Sequence, residues 1–366
     1  MIESLKIKNF KNLNGLEIPK LSQINLIAGK NNVGKSTLLE AIAIYTNPSQ
    51  IIEILEERGE FYSLRDKNEI EIITQNTNTF SSLFTDRNEE VSENNVIEIS
   101  DKENTLSIHF SYYREITEEN NGETIQKTEP VNPNTDIILE DIQKAIIINK
   151  QNTYNFFIRL NRNLNILPIR FKTNGNSNTI IRLSTKLLNN IQIAQLFDKI
   201  TLTEKEDNVI EALQIIEENI ERLVFIGENP YRDRVPIVKL RGNNKRFPLK
   251  SMGDGINHIL TIILALVNCE NGYLLIDEID NGLHYSVQEN LWRVIFDLAK
   301  KLNIQVFATT HSNDCINSFT EVLKEENNAS IGGFYRMQKR KSGRIELVEY
   351  NAEELNSVSE HNIEIR

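Results

Sequence analysis

The chain has 366 residues, enough for a large buried core and for two structural lobes. Its 39% hydrophobic and 25% charged residues are ordinary for a soluble globular protein. A formal net charge of −11 argues against nucleic acid coating the whole surface, although a local basic groove remains compatible with it. The two cysteines, Cys269 and Cys315, lie far apart without metal-ligand spacing, and Cys269 closes an apolar run like a reduced core residue. The N-terminus alternates apolar and polar residues and lacks the pattern of a signal peptide. The longest apolar run, Ile259 to Val267, is too short to cross a membrane. A cytoplasmic protein is expected.

Ile2 to Phe10 alternates like a half-buried strand. Gln23 to Ala28 is a second, apolar strand, and Ser36 to Tyr45 reads as a helix whose apolar face is Leu38, Leu39, Ile42 and Ile44. Between them lies Gly29-Lys30-Asn31-Asn32-Val33-Gly34-Lys35-Ser36, which fits G-x-x-x-x-G-K-[S/T]. Strand, Gly-rich turn and helix together make a credible phosphate site. Gly29 and Gly34 permit unusual backbone angles, and the N–H groups from Asn31 to Lys35 can converge on phosphate oxygens. Lys35 would reach the β- and γ-phosphates, and the Ser36 hydroxyl is placed to ligate Mg²⁺.

From Thr46 to Glu221 the chain is rich in Asn, Glu, Thr and Ile. Asn95 to Ile99 and Thr105 to Tyr113 look like strands, and Glu118 to Asn134 looks like an exposed loop. Asp136 to Tyr154 and Lys186 to Leu223 have helical spacing of apolar residues. No fixed-period repeat and no long heptad pattern appears.

The last third is regular again. Val235 to Arg241 is a strand candidate. Leu249 to Val267 begins as a Gly-containing loop and continues as an apolar helix. Its Lys250-Ser251-Met252-Gly253-Asp254-Gly255 stretch, at a helix N-terminus, is a second anion nest. The first phosphate site is already complete, so this nest is expected to serve a γ-phosphate held by a partner subunit. Tyr273 to Ile276 is a fully apolar strand that ends in Asp277 and Glu278. Asp277 would hold Mg²⁺ directly or through water, and Glu278 would polarise the attacking water as a general base. Tyr285 to Leu302 reads as an amphipathic helix. Gln305 to Thr309 is another buried strand, and His311 at its end could hydrogen-bond a γ-phosphate or its attacking water. Ile331 to Met337 and Gly343 to Tyr350 look like a closing hairpin.

Taken together, Ile2 to Leu13, Gly29 to Thr37, Ser251 to Gly255, Leu274 to His284 and Ala308 to Ser312 resemble one group. They look like the ABC-type ATPase fold in its SMC/RecF-like branch, and especially its OLD-like ATPases. The resemblance covers residues 1–45 and 235–350 and implies an α/β fold. That fold has a mixed central sheet, an N-terminal antiparallel β-subdomain and an α-helical insertion lobe. The divisions expected are residues 1–135 and 231–350 for the two parts of the ATPase domain, 136–230 for a mostly helical insertion, and 351–366 for an acidic tail. The resemblance also implies a head-to-head homodimer or higher oligomer with two ATP molecules sandwiched between phosphate and Ser251 loops. Asp280 to His284 would lie near its seam. Asp254 departs from what many relatives carry in that slot. The glutamine loop of the family has two candidates here, Gln75 and the segment Thr79 to Asp86.

The resemblance carries expectations about role. OLD-like nucleases have a C-terminal TOPRIM domain, for which this chain has no room after Ser312. Glu353, Glu354, Glu360 and Glu364 read as a solvated tail rather than a metal site. Stand-alone ATPases of this type resemble parts of bacterial anti-phage defence modules, so a separate nuclease or toxin effector is the expected partner. The second reading is a DNA-repair or chromosome-associated ATPase. Its DNA contacts would be Arg159, Arg162, Arg170 and Lys172 among Phe156, Phe157 and Phe171, or Lys239, Arg241, Lys245, Arg246 and Lys250. A transporter motor fits less well, because SMGDG stands where transporters carry LSGGQ.

Overall fold

The computed structural model describes residues 1–60, 68–120, 123–131, 142–150, 154–161, 179–185, 188–227, 234–243, 245–351 and 354–355. Its centre is a six-stranded sheet in the order β16-β15-β3-β14-β13-β9. The strands are β3 (Ile24–Ala28), β9 (Ile180–Leu183), β13 (Tyr273–Ile276), β14 (Gln305–Thr310), β15 (Gly332–Lys339) and β16 (Ile345–Tyr350). All neighbours pair in parallel except β16, which runs antiparallel to β15. Every residue of β3, β13 and β14 is buried, as expected for parallel strands covered on both faces.

Alternate side chains of this sheet enter two separate cores. Leu26, Leu274, Ile276, Val306 and Ala308 face one. Ile27, Leu275, Phe307 and Met337 face the other. The first face is covered by α6 (Asp254–Asn268), α7 (Tyr285–Lys301) and α8 (Asn313–Leu323), with α4 (Asn190–Asp198) and α5 (Glu204–Ile216) packed outside α6. The second is covered by α1 (Lys35–Thr46), which is buried along its length apart from Ser36. The short α2 (Gln50–Glu57) and α3 (Glu69–Ser81) follow it.

Beyond α1 lies a seven-stranded antiparallel sheet. It contains β1 (Leu5–Lys8), β2 (Leu16–Ile18), β4 (Val96–Ser100), β5 (Thr105–Asn120), β6 (Glu123–Val131), β7 (Gln143–Lys150) and β8 (Tyr154–Arg159). A three-stranded sheet, β10 (Ile220–Ile226), β11 (Val235–Leu240) and β12 (Arg246–Pro248), leads into the loop before α6. Among the described residues no helix is long and apolar enough to cross a membrane.

Three local expectations are corrected. Glu118 to Asn134 is largely a hairpin, because β5 and β6 pair down to Asn120 opposite Glu123. Helical spacing over Asp136 to Tyr154 gives way to β7 and the start of β8. The run Ala145-Ile146-Ile147-Ile148 fits either period, and its β-branched side chains pack between β5 and β8. The segment expected to be helical to Leu223 holds α4 and α5, but turns into β10 at Ile220. Among the described residues of 136–230 the helices are α4 and α5. Arg162, Arg170, Phe171, Lys172, Glu353, Glu360 and Glu364 lie outside the described residues.

The end of β3 is sterically closed. An ideal Cβ on Gly29 would lie 2.6 Å from the Met337 carbonyl oxygen of β15. Gly29→Ala is expected to lower the unfolding free energy by about 1–3 kcal/mol by forcing these strands apart. Denaturant titration of the two proteins measures it, and equal midpoints would show that the contact gives way without cost.

Candidate functional site

Parallel register brings three strand ends to one edge of the sheet. Ala28 pairs with Thr310 and Ala308 with Ile276, so the residues that follow each strand emerge together. The turn after β3 is the Gly29–Gly34 loop. It ends in Gly34 at φ 113, a left-handed conformation that favours glycine, and its ideal Cβ would approach Asn12 Nδ2 at 3.0 Å. α1 then starts with no side-chain cap and no acid in its first turn. Its first N–H groups are left to whatever occupies the space ahead of them.

That space is a cavity of about 540 Å³ lined by Asn12, Asn31, Asn32, Gly34, Lys35, Ser36, Thr37, Arg58, Asp277 and Glu278. Six residues of the phosphate loop thus share one cavity with the acidic pair from β13. Lys35 is buried and donates to the carbonyls of Gly29 at 2.7 Å and Lys30 at 3.0 Å. Burial pushes its pKa below the usual lysine value, while Asp277, Glu278 and Asp280 act in the opposite direction. Those three carboxylates keep an ammonium acceptable in a partly dry site. Ser36 and Asp277 contribute a hydroxyl and a carboxylate to the same cavity, hard oxygen donors that suit Mg²⁺. The residues therefore fit a magnesium-bound polyphosphate. Gly29, Lys30 and Val33 support the loop from outside it, with Lys30 and Val33 facing a neighbouring cavity beside Arg336 to Lys339.

The acidic pair is held by threonines. Thr309 donates its hydroxyl to Asp277 Oδ1 at 2.6 Å and accepts the Glu278 backbone N–H at 2.9 Å. Thr310 donates to Asp280 Oδ1 at 2.6 Å. Glu278 adopts φ 53, a conformation that costs a residue with a side chain about 1–2 kcal/mol. Its neighbour Ile279 donates to the Thr309 carbonyl at 3.0 Å, so the strained turn is tied at both ends. His311 Nδ1 lies 3.7 Å from Glu278 Oε1, beyond direct hydrogen bonding. His311 flanks the cavity without lining it.

Four of the expected residues lie elsewhere. Ser251, Gly253, Asp254 and Gly255 do not line the phosphate cavity of their own chain. Ser251 is exposed, with its hydroxyl donating to the Pro248 carbonyl at 2.7 Å, and Gly253 turns at φ 121 into α6. The loop stands at a helix N-terminus without a side-chain cap, and Ser251 and Gly253 are exposed.

Asn12, Arg58, Thr309 and Thr310 are site residues that motif reading passed over. Asn12 and the threonines lie inside quoted motifs, and strand alternation alone could have singled out Thr309. Arg58 caps the C-terminus of the amphipathic α2, outside any motif. It is placed by Glu40 on α1, which accepts from Arg58 Nε at 2.5 Å and from Lys11 Nζ at 2.8 Å. Glu40 is buried, and the Arg58 side chain reaches into the phosphate cavity. A second cavity of about 610 Å³ shares Asn12, Thr37 and Arg58 with the first and extends past Ser82, Phe84 and Asp86. Of the two glutamine-loop candidates, Thr79 to Asp86 reaches the second cavity but not the first, and Thr85 and Leu83 hydrogen-bond the Asn9–Lys11 backbone. Gln75 lines neither.

A family model described as "AAA ATPase domain" matches residues 1–316. An "ATP/GTP phosphatase" of Helicobacter pylori is 28% identical over 354 residues, 89% of each chain. "Uncharacterized protein MJECL10" of Methanocaldococcus jannaschii is 46% identical over 61 residues, 16% of this chain and 28% of its own length. Among solved structures, the SMC head domain from Thermotoga maritima has a TM-score of 0.44 at 13% identity, covering 96% of this chain and 99% of the other. The SmcHead bound to the C-winged helix domain of ScpA has a TM-score of 0.46 at 14% identity, covering 97% and 99%.

Thr309 is fully buried, and removing its hydroxyl strands the Asp277 oxygen and the Glu278 N–H together. Thr309→Val is expected to slow nucleotide hydrolysis about tenfold to a hundredfold, the equivalent of one or two lost buried hydrogen bonds. Steady-state phosphate release at saturating ATP measures this, and an unchanged rate would mean that the threonine does not organise the acids.

Proposed function

This chain belongs to the AAA ATPase domain family, and on that premise we propose that two copies close around two ATP molecules to regulate a separate effector. Each ATP would be held between the phosphate loop of one chain and the Ser251–Gly255 loop of the other. The effector, a nuclease or toxin, would be controlled by closure and hydrolysis in bacterial anti-phage defence. The observation that supports the two-chain site is the outward-facing Ser251 loop. It is a free helix N-terminus that does not touch its own chain's phosphate cavity.

Asn31 to Thr37 would cradle the phosphates, with Lys35 exchanging its Gly29 and Lys30 carbonyl partners for phosphate oxygens. Ser36 and Asp277 would hold Mg²⁺, whose charge offsets that of the phosphates. Glu278 would take the proton of the attacking water, and His311 beside it would orient that water or the γ-phosphate. Arg58 is a further cation for the same charge, since among the described residues Glu40 engages its Nε and the Arg58 side chain lines the cavity. The name of the Helicobacter pylori relative supports triphosphate hydrolysis and makes GTP a second substrate to assay.

The DNA-directed reading is favoured by one observation. Arg241, Lys245 and Arg246 form an exposed basic stretch around the β11–β12 turn. Arg159 and Lys239 are occupied by ion pairs with Glu115 and Glu221, and Phe156 is buried. DNA affinity that falls steeply with salt would support this reading over the effector reading. Tight co-purification of a co-expressed effector without DNA binding would favour the other.

Lys35→Ala is expected to abolish ATP binding in calorimetry, and retained affinity would sink the phosphate-site assignment. Glu278→Gln is expected to bind ATP, to lose about a hundredfold or more in hydrolysis, and to accumulate as an ATP-dependent dimer in light scattering. Turnover at the wild-type rate would remove Glu278 from the general-base role.

A further inference from the structure

α6 carries the Ser251–Gly255 loop at its N-terminus, and one turn into this helix sits His258. Its side chain is buried, at 8% exposure. Its Nε2 lies 3.3 Å from the carbonyl oxygen of Ile279, the residue after Glu278. Its Nδ1 is buried without a hydrogen-bond partner among the described residues. The contact to a carbonyl selects the tautomer with the proton on Nε2, since a carbonyl only accepts. A protonated ring would place a second N–H on Nδ1, where nothing accepts it. Burial lowers the pKa of His258, with the Ile279 carbonyl and Asp280 opposing the shift, so the ring is a neutral donor near pH 7.

The acidic turn that follows β13 touches α6 at a second point. An ideal Cβ on Gly255 would lie 3.3 Å from the Gly282 carbonyl oxygen and 3.3 Å from Leu283 Cδ2. Residues 277–283 are therefore gripped from two sides. Thr309 and Thr310 hold the Asp277, Glu278 and Asp280 end from β14. His258 and Gly255 hold it from α6. A buried polar ring needs a partner, and the partner of His258 among the described residues is the Ile279 carbonyl.

We infer that His258 is a positioning residue for Glu278, fixing the left-handed turn that aims the general base by donating to the carbonyl of the next residue. It has a further consequence, which rests on the two-chain reading. The Ser251–Gly255 loop would contact one ATP while Glu278 of the same chain acts on the other. His258 joins the two through one helical turn, so movement of α6 as its loop meets a phosphate alters the aim of Glu278 at the opposite site. The chain thereby couples the two hydrolysis events through a single side chain.

Three substitutions test this. His258→Gln places an amide N–H near the position of Nε2 and keeps the donor. His258→Asn keeps polarity and places its amide near Nδ1, too short to reach Ile279. His258→Leu fills the space and donates nothing. Phosphate release is measured against ATP concentration and chain concentration, beside thermal unfolding of each variant. His258→Leu and His258→Asn are expected to lose about tenfold in kcat with KM within about threefold of wild type, while His258→Gln stays within about threefold in both. The wild-type ATP dependence is expected to be cooperative and that of His258→Asn hyperbolic. A kcat for His258→Leu or His258→Asn within about twofold of wild type overturns the positioning role, as does equal loss in His258→Gln and His258→Asn at matched unfolding temperature. If His258→Leu does not fold, the comparison of Gln with Asn decides. Glu278→Gln remaining monomeric with saturating ATP in light scattering would overturn the two-chain reading and the coupling with it, whereas the positioning of Glu278 is judged by kcat alone.

Discussion

Parallel pairing of β3, β14 and β13 is the constraint from which the site follows. The ladder aligns Ala28 with Thr310 and Ala308 with Ile276, so three turns of unrelated sequence leave the sheet at the same edge. Parallel strands cannot be joined by hairpins. The chain must cross back over a face each time, and α1, α6, α7 and α8 are the elements that cover those faces. The result is a Gly-rich loop and an acidic turn lining one cavity, with a Thr-Thr-His turn beside them, and their backbones are fixed by three strands buried throughout.

Charge inside this arrangement is kept tolerable by pairing. Glu40, in the apolar middle of α1, is buried but accepts from Lys11 and Arg58, which come from the loop after β1 and the end of α2. Lys35 is buried within the field of Asp277, Glu278 and Asp280, and its ammonium is held by the carbonyls of Gly29 and Lys30. Glu40 thus sets the geometry of Lys11 and Arg58, while backbone carbonyls set that of Lys35. Both Lys35 and Arg58 line the cavity.

The acidic turn is where rigidity and strain meet. A residue with a side chain at φ 53 persists only when its surroundings over-determine it. Here the surroundings are Thr309 on β14 and His258 on α6, so the angle of Glu278 reports on two elements at once. Because α6 also presents the Ser251 loop to the outside, the turn links the interior of one site to a surface available to another chain.

The fold class and the strand–loop–helix around Gly29 to Ser36 were legible because their signals are local. Gly29 to Ser36 between an apolar strand and an apolar helix, and Tyr273 to Glu278 as four apolar residues ending in acids, each define a conformation within ten residues. The Asn-rich middle was misread where local pattern is degenerate. Ala145 to Ile148 fits a helix or a strand, and only pairing with β5 and β8 decides it. Arg58, Asn12, Thr309, Thr310 and His258 could not be assigned roles from the chain alone. Their functions depend on partners such as Glu40, Asp277, Asp280 and Ile279, reached across 18 to 32 residues. The sequence by itself determined the strand–loop–helix around the phosphates and the acids at the end of a buried strand, because backbone preference and burial pattern act between neighbours. The tertiary structure alone decided which cations enter the cavity, what holds Glu278 in its turn and that the Ser251 loop faces outward. Those outcomes depend on side chains that meet only after the sheet has set its register.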